Sequence, residues 1–263
     1  MLKKLLLLAM LSGLMAVQFS CKVTNDEDAA IDIDPVFNLD MIEDLENNKA
    51  LSFWVESVEL QICENYTISH NLEKTTSKLD IRLNEIIAPT DCIVGEVAAV
   101  AEIKLGELTF GRTYTTEFTI KNTITNKGIL MIQADAYILE MESIDGFQSV
   151  VEKLYKIPNN LIWGYIAYND ENLVGNVPAE FLSDVTEITA DKTLQDGYYG
   201  HFSIDKNGLL NFKQSPNFQK KNTFYFNYSS DTQALADLLE TYRSSNNADN
   251  IAFKIFTANG DEL

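Results

Sequence analysis

The stretch Tyr114–Lys121, which reads YTTEFTIK, alternates apolar or aromatic side chains with polar ones. Successive side chains of a β-strand point to opposite faces, so this alternation predicts a strand with one buried and one solvated face. The pattern recurs over residues 79–84 and 97–103, and Asn126-Lys127-Gly128 follows with residues that suit a hairpin turn. The first half of the chain is therefore predicted to be a sheet with one buried face.

The residues just before this strand resemble a known structural corner. Leu108 to Tyr114, LTFGRTY, are similar to the corner before the penultimate strand of fibronectin type III and other immunoglobulin-like (Ig-like) β-sandwiches. In those domains a tyrosine hydroxyl bonds to the backbone of the preceding corner, and Tyr114 holds the matching position. True immunoglobulin domains place a tryptophan between two cysteines, whereas here Trp54 precedes Cys63 and Cys92. The resemblance implies an Ig-like β-sandwich over residues 50–142.

The second half, residues 143–263, predicts an α+β domain. Leu161 to Tyr168, LIWGYIAY, is apolar on both faces, which is typical of a buried central strand. After Ser230 and Asp231 a run with leucines on one face predicts a helix, and Ile251 to Thr257 predicts a closing strand. The expected fold is thus mainly β, an Ig-like sandwich followed by a mixed-sheet domain whose last helix covers one face.

The N-terminus predicts a signal peptide over residues 1–20. Two lysines precede an apolar run that is too short to span a membrane but suits the central region of a secretory signal. Ser20 and Cys21 resemble the lipobox of bacterial lipoproteins, in which a small residue precedes the cysteine that receives the lipid, although Gln18 and Phe19 depart from it. The resemblance implies lipidation at Cys21.

The residues after Cys21 predict an attached, acidic tether. Asp26, Glu27 and Asp28 resemble the export signal of Bacteroidetes-type surface lipoproteins, which implies attachment to the outer membrane with exposure at the cell surface. A periplasm-facing position is the alternative. Residues 21–49 are read as this tether followed by a short amphipathic helix near residues 39–47, and a second short helix is predicted within residues 146–155.

Cys63 and Cys92 are the candidate disulfide pair once Cys21 is assigned to lipid. Outside the cytoplasm such a pair is usually oxidised, and two separately buried thiols are the alternative. A zinc site needs about four ligands. The chain adds only His70 and His201 to these cysteines, without the usual spacings, so neither a metal nor a cofactor is predicted.

The charge and the motifs narrow the possible functions. The chain has 39 acidic and 20 basic residues and a net charge of −19, which repels nucleic acids and anionic membrane surfaces. It contains no nucleophile elbow, zinc-protease motif or phosphate-binding glycine loop, so no catalytic residue and no enzymatic activity are predicted. A glycosidase-type carboxylate pair stays open, because such pairs are set by spacing in the fold.

The aromatic residues of the second half allow two interpretations. They are core residues, which we favour, or they form a platform on which the apolar faces of sugar rings pack. The platform candidates are Trp163, Tyr165, Tyr168, Tyr198 and Tyr199.

Two functions are therefore predicted. The first is a non-catalytic envelope lipoprotein that docks onto another envelope protein, and the alternative is an accessory protein that binds neutral glycans for an outer-membrane nutrient-uptake system. A carboxylate-based glycoside hydrolase is the least favoured. A solvent-facing row of three aromatic residues would favour glycans, and burial of the aromatic residues would favour docking.

Overall fold

Ten strands form one hydrogen-bonded sheet in the computed structural model, which describes residues 36–213 and 217–263. The order of the strands is β10-β8-β7-β6-β4-β3-β5-β2-β1-β9. Their bounds are β1 Phe37–Asp44, β2 Ala50–Cys63, β3 Thr67–Lys74, β4 Lys78–Ile87, β5 Val94–Lys104, β6 Thr113–Ile120, β7 Ile124–Ile132, β8 Ala136–Met141, β9 Phe147–Val150 and β10 Lys153–Tyr155.

This large sheet curls around its own core. The alternation of β6 buries Tyr114, Phe118 and Ile120, as the sequence predicts. The Phe118 ring lies 5.1 Å from the Phe53 ring, although three strands separate β6 from β2 in the sheet, and 5.9 Å from the Phe147 ring of β9. Side chains from distant strands therefore meet inside one apolar core.

The sheet order differs from that of an Ig-like sandwich, which has two antiparallel sheets. Here all ten strands share one sheet, and three neighbouring pairs are parallel, namely β1 with β9, β3 with β5 and β4 with β6. The corner residue Tyr114 is buried, and its hydroxyl oxygen accepts a hydrogen bond from the Thr109 N–H at 3.0 Å. The mainly β character is confirmed.

Two segments predicted to be short helices are strands. Residues 37–44 form β1, because Phe37, Leu39 and Met41 enter the core at the period of a strand. The predicted helix within residues 146–155 is replaced by β9 and β10, which pair with β1 and β8 at the two ends of the sheet. Pairing with an open sheet edge overrides the local pattern. Both strands belong to the segment after residue 143, so the second half of the sequence completes the sheet of the first.

The rest of the described part of the chain forms two small sheets and three helices. Their bounds are β11 Leu161–Tyr168, α1 Glu171–Val174, α2 Val177–Ile188, β12 Gly197–Tyr198, β13 Phe202–Ile204, β14 Leu210–Phe212, β15 Lys220–Asn227, α3 Gln233–Ser245 and β16 Ile251–Thr257. In one sheet β11 lies between β15 and β16 and is antiparallel to both, so the mixed sheet predicted here is wrong. β15 and β16 are connected through α3 and run in the same direction. They are not neighbours in the sheet, because β11 lies between them. The second small sheet has the order β12-β13-β14.

The two faces of β11 belong to different clusters. Ile162 and Ile166 pack in one cluster with Phe181 of α2 and with Leu235 and Leu239 of α3. The opposite face directs Trp163 into a second cluster that includes residues of β13 and β14. That second face also reaches the groove described below.

The described residues belong to one compact unit. A disulfide joins Cys63, at the end of β2, to Cys92 in the loop before β5, as predicted. In the part of the chain that the structure describes, no helix has the length and apolarity needed to cross a membrane. The signal peptide, Cys21 and most of the tether lie outside the described residues.

Candidate functional site

A groove follows the outer face of β1, β2 and β5. The alternation that buries one set of β1 side chains places Asn38, Asp40, Ile42 and Asp44 on the opposite face of the strand, where Asp40 is buried and the other three are partly exposed. In the sheet register Asp40 lies beside Trp54 of β2, and Trp54 lies beside Glu102 of β5. One wall of the groove therefore presents a tryptophan between two carboxylate side chains.

The second half of the chain supplies the opposite wall. Tyr165 of β11 and Phe256 of β16 reach it because they share the face of Trp163. Tyr198 and His201 come from β12 and the turn that follows it, and Phe212 comes from the end of β14. One wall of the groove is thus formed by the large sheet and the other by the two small sheets.

Three adjoining cavities, of about 410, 570 and 560 Å³, make up the groove. Trp54 lines all three, and each cavity shares further lining residues with the next. The volumes fall within the usual range of about 300–1,000 Å³ for small-molecule sites. The cavities therefore form one continuous groove with Trp54 at its centre.

Aromatic rings form a connected row on the wall opposite Trp54. The Tyr165 and Phe212 rings meet edge to face with centroids 5.3 Å apart, and Phe212 lies 5.7 Å from Phe256. Phe256 in turn stacks on the buried Trp163 at 6.0 Å. Tyr165, Phe212, Phe256 and Trp54 are all partly exposed, so apolar ring surface faces the groove from both sides.

A polar network fixes the groove beside Trp54. The carboxylate of Asp40, which is 9% exposed, accepts hydrogen bonds from the Tyr198 hydroxyl at 2.6 Å and from Lys213 Nζ at 2.8 Å. Burial and the adjacent Asp40 raise the pKa of Tyr198, so its hydroxyl stays protonated and keeps donating. Trp54 Nε1 donates to Glu56 Oε1 at 2.7 Å, and Lys213 Nζ lies 3.9 Å from the same oxygen. The indole ring is therefore held in a defined position.

Glu43 and His201 have structural partners. His201 Nε2 lies 2.9 Å from the Glu43 carbonyl oxygen, which can only accept, so the proton is on Nε2. Burial lowers the pKa of His201, which keeps the ring neutral. Burial also raises the pKa of the Glu43 carboxyl, whose oxygens accept hydrogen bonds from the Ile157 N–H and the Tyr137 hydroxyl. Both oxygens of the Glu43 carboxyl are therefore occupied by hydrogen bonds within the protein.

The structure separates the five predicted platform residues. Trp163, Tyr168 and Tyr199 are buried, although Trp163 also borders the 410 Å³ cavity, whereas Tyr165 and Tyr198 are the two that line the central cavity. Sequence reasoning missed Trp54, Phe212 and Phe256. The sequence did contain a signal for Trp54. This large aromatic residue alternates with the buried Phe53 and Val55, so it lies on the solvent-facing side of β2.

Within the described ranges, no group of three or more histidine, cysteine, aspartate or glutamate side chains is placed to hold a metal ion. The groove instead offers aromatic surface, hydroxyl groups and carboxylates that already have partners. Such a site suits reversible binding of a polar, uncharged ligand with apolar faces.

Comparisons of the chain with models of protein families, with curated proteins and with solved structures find no match.

Proposed function

We propose that this chain is a non-catalytic binding protein of the bacterial cell envelope and that the groove binds neutral glycans. The observation that supports this function best is the pair of facing aromatic surfaces, Trp54 on one wall and Tyr165, Phe212 and Phe256 on the other. Sugar rings combine apolar C–H faces with equatorial hydroxyl groups. The faces would pack between the aromatic walls while the hydroxyls bond to the polar network.

The charge of the protein favours a neutral ligand. Asp40, Asp44, Glu56 and Glu102 all line the groove, and the net charge of the chain is −19. A polyanion, including a nucleic acid, would be repelled by this field. A glycoside hydrolase additionally needs a protonated carboxyl beside the scissile bond. Among the residues that the structure describes, the carboxyl whose pKa is raised is that of Glu43, and it is hydrogen-bonded within the protein.

Docking onto another envelope protein is the second candidate function. Large aliphatic side chains are exposed near the disulfide, at the end of β2 and around the start of β5, where Ile62 and Val94 are 74% and 86% exposed. Leu60 and Ile93, in the same two segments, are 52% and 59% exposed. Exposed apolar side chains that are concentrated in one region commonly mark a protein-interaction site.

We also propose that residues 50–142 keep the tyrosine corner of an Ig-like sandwich within the single large sheet, and that the last helix covers one face of the three-stranded sheet of β11, β15 and β16. The hydrogen bond from the Thr109 N–H to the Tyr114 hydroxyl supports the first. The packing of Leu235 and Leu239 in the cluster of the three-stranded sheet supports the second.

The envelope location also remains a proposal, supported by the lipobox-like Ser20 and Cys21. Palmitate should label the wild-type protein, and Cys21→Ser should abolish labelling and release the protein from membranes, because each buried CH₂ adds about 0.8 kcal/mol of anchoring. Soluble, unlabelled wild-type protein would contradict the proposed anchor. Protease treatment of intact cells then distinguishes the two faces, since surface-exposed protein is digested and periplasmic protein is protected.

Trp54→Ala should weaken glycan binding at least about tenfold, or about 1.4 kcal/mol, because it removes one wall of the groove. Isothermal titration with neutral glycans measures the affinity, and thermal unfolding checks that the variant is folded. Phe110→Ala is the matched control, since Phe110 is 68% exposed and lies outside the groove. Equal affinity of wild type and Trp54→Ala would refute the assignment of the groove.

A further inference from the structure

We infer that the groove binds an internal segment of a linear, unsubstituted glycan rather than a single sugar or a chain end. This inference rests on the proposed function and adds the length of the ligand and the part of the glycan chain that is bound. Its first support is the shape of the groove. The three cavities follow β1 in order. Asn38 lines the 560 Å³ cavity at one end, Asp40 and Ile42 line the central 570 Å³ cavity, and Asp44 lines the 410 Å³ cavity at the other end. At about 3.3 Å per residue these side chains span roughly 20 Å, which exceeds the length of a disaccharide.

Both ends of the groove lie at exposed residues. Gln148 and Ser149, which line the cavity at one end, are exposed residues of β9. At the other end the lining residues Glu46 and Asp261 are also exposed. A polymer can therefore enter at one end and leave at the other, so the groove does not require a chain terminus.

The lysines of the groove are already neutralised by carboxylates. Lys213 contacts Asp40 and Glu56, and Lys104 contacts Asp44 at 2.9 Å. The third, Lys254, forms an ion pair with Glu262. An acidic sugar would have to compete with these carboxylates for its cation, whereas a neutral chain only exchanges hydrogen bonds with water. The charge pattern therefore selects glycans without sulfate or uronic acid groups.

One end of the groove differs from the rest. Ile42, Trp54, Phe212 and Phe256 line both the central cavity and the cavity at the Asp44 end, whereas Asn38, Ser149 and Gln148 at the opposite end have amide and hydroxyl groups. Ring packing over two cavities and hydrogen bonds in the third fit a chain that occupies all three. We therefore expect each added sugar to strengthen binding until the groove is filled.

The test uses the full-length mature protein and a series of linear β-1,4-glucan, α-1,4-glucan and β-1,4-mannan oligosaccharides from the disaccharide to the hexasaccharide. For the series that binds, the affinity should rise at least tenfold from the disaccharide to the hexasaccharide. A hexasaccharide blocked at both ends should bind as well as the free one. A carboxylated chain of equal length should bind at least tenfold more weakly.

Ser149→Trp provides the matched variant, because a bulky side chain at this exposed position fills one end of the groove. It should reduce the affinity for the hexasaccharide toward that of a shorter chain, and by a larger factor than it reduces the affinity for the disaccharide. Equal affinities for short and long chains, or loss of binding on blocking the chain ends, would overturn this inference while leaving the proposed function intact. No binding to any neutral glycan of the panel would overturn both.

Discussion

Trp163→Ala should lower the free energy of unfolding by about 3–5 kcal/mol, which is the usual cost of removing a large aromatic side chain from a core. Trp163 is 1% exposed and lies behind the aromatic wall of the groove. Its ring centroid is 5.1 Å from that of Phe202 and 6.0 Å from that of Phe256. The cavity left by alanine would remove contacts from both neighbours.

Urea denaturation followed by circular dichroism measures this loss. Trp54→Ala is the informative comparison, because it removes the same side chain from a partly exposed position and should cost much less stability. A loss below about 1 kcal/mol in the free energy of unfolding for Trp163→Ala would show that the packing around this ring contributes little to stability. The two tryptophans thus separate a contribution to stability from a contribution to binding.

Removal of the Cys63–Cys92 bond should destabilise the protein by about 2–4 kcal/mol. The cysteines are 29 residues apart, and their bond limits the conformations of the unfolded chain. In the native state β2 and β5 already pair beside it, at Cys63 and Val94, so the folded structure should change little. The double variant with alanine at both positions should therefore retain its circular dichroism spectrum and unfold at a lower urea concentration.

Mass spectrometry and reduction provide the controls for this prediction. The wild-type protein should be about two daltons lighter without reductant, because bond formation removes two hydrogens. Reductant should lower the stability of the wild type to that of the double variant and leave the variant unchanged. Two free thiols in the native protein would contradict the bond.

Local periodicity predicted those parts of the fold in which a strand has one buried face. The pattern over residues 114–120 correctly placed Tyr114, Phe118 and Ile120 in the core. It failed for residues 37–44 and 147–155, because their partners are set by the open edges of a sheet assembled from distant segments. Short segments carry too little pattern to distinguish a turn of helix from an edge strand.

The groove was harder to predict, because it depends on how the outer face of the large sheet lies against the two small sheets. Trp54 and Phe256 are about two hundred residues apart in sequence and line the same cavity. Within β11 the buried Trp163 and the partly exposed Tyr165 share one face, so alternation alone does not separate them. The residues beside them on β16 distinguish the two positions, since Trp163 lies beside Phe256 and Tyr165 lies beside Lys254.

The pairing of β1 with β9 has a consequence for biosynthesis. In the register Phe37 lies beside Phe147, so β1 can pair with β9 only after the ribosome has synthesised a segment 110 residues further along the chain. At about 5–20 residues per second the ribosome needs roughly 5–20 s to make that segment. During this interval β1 has an open edge that can pair with another nascent chain. A holding chaperone that shields the N-terminal segment should therefore raise the yield of folded protein more than one that acts on the C-terminal segment.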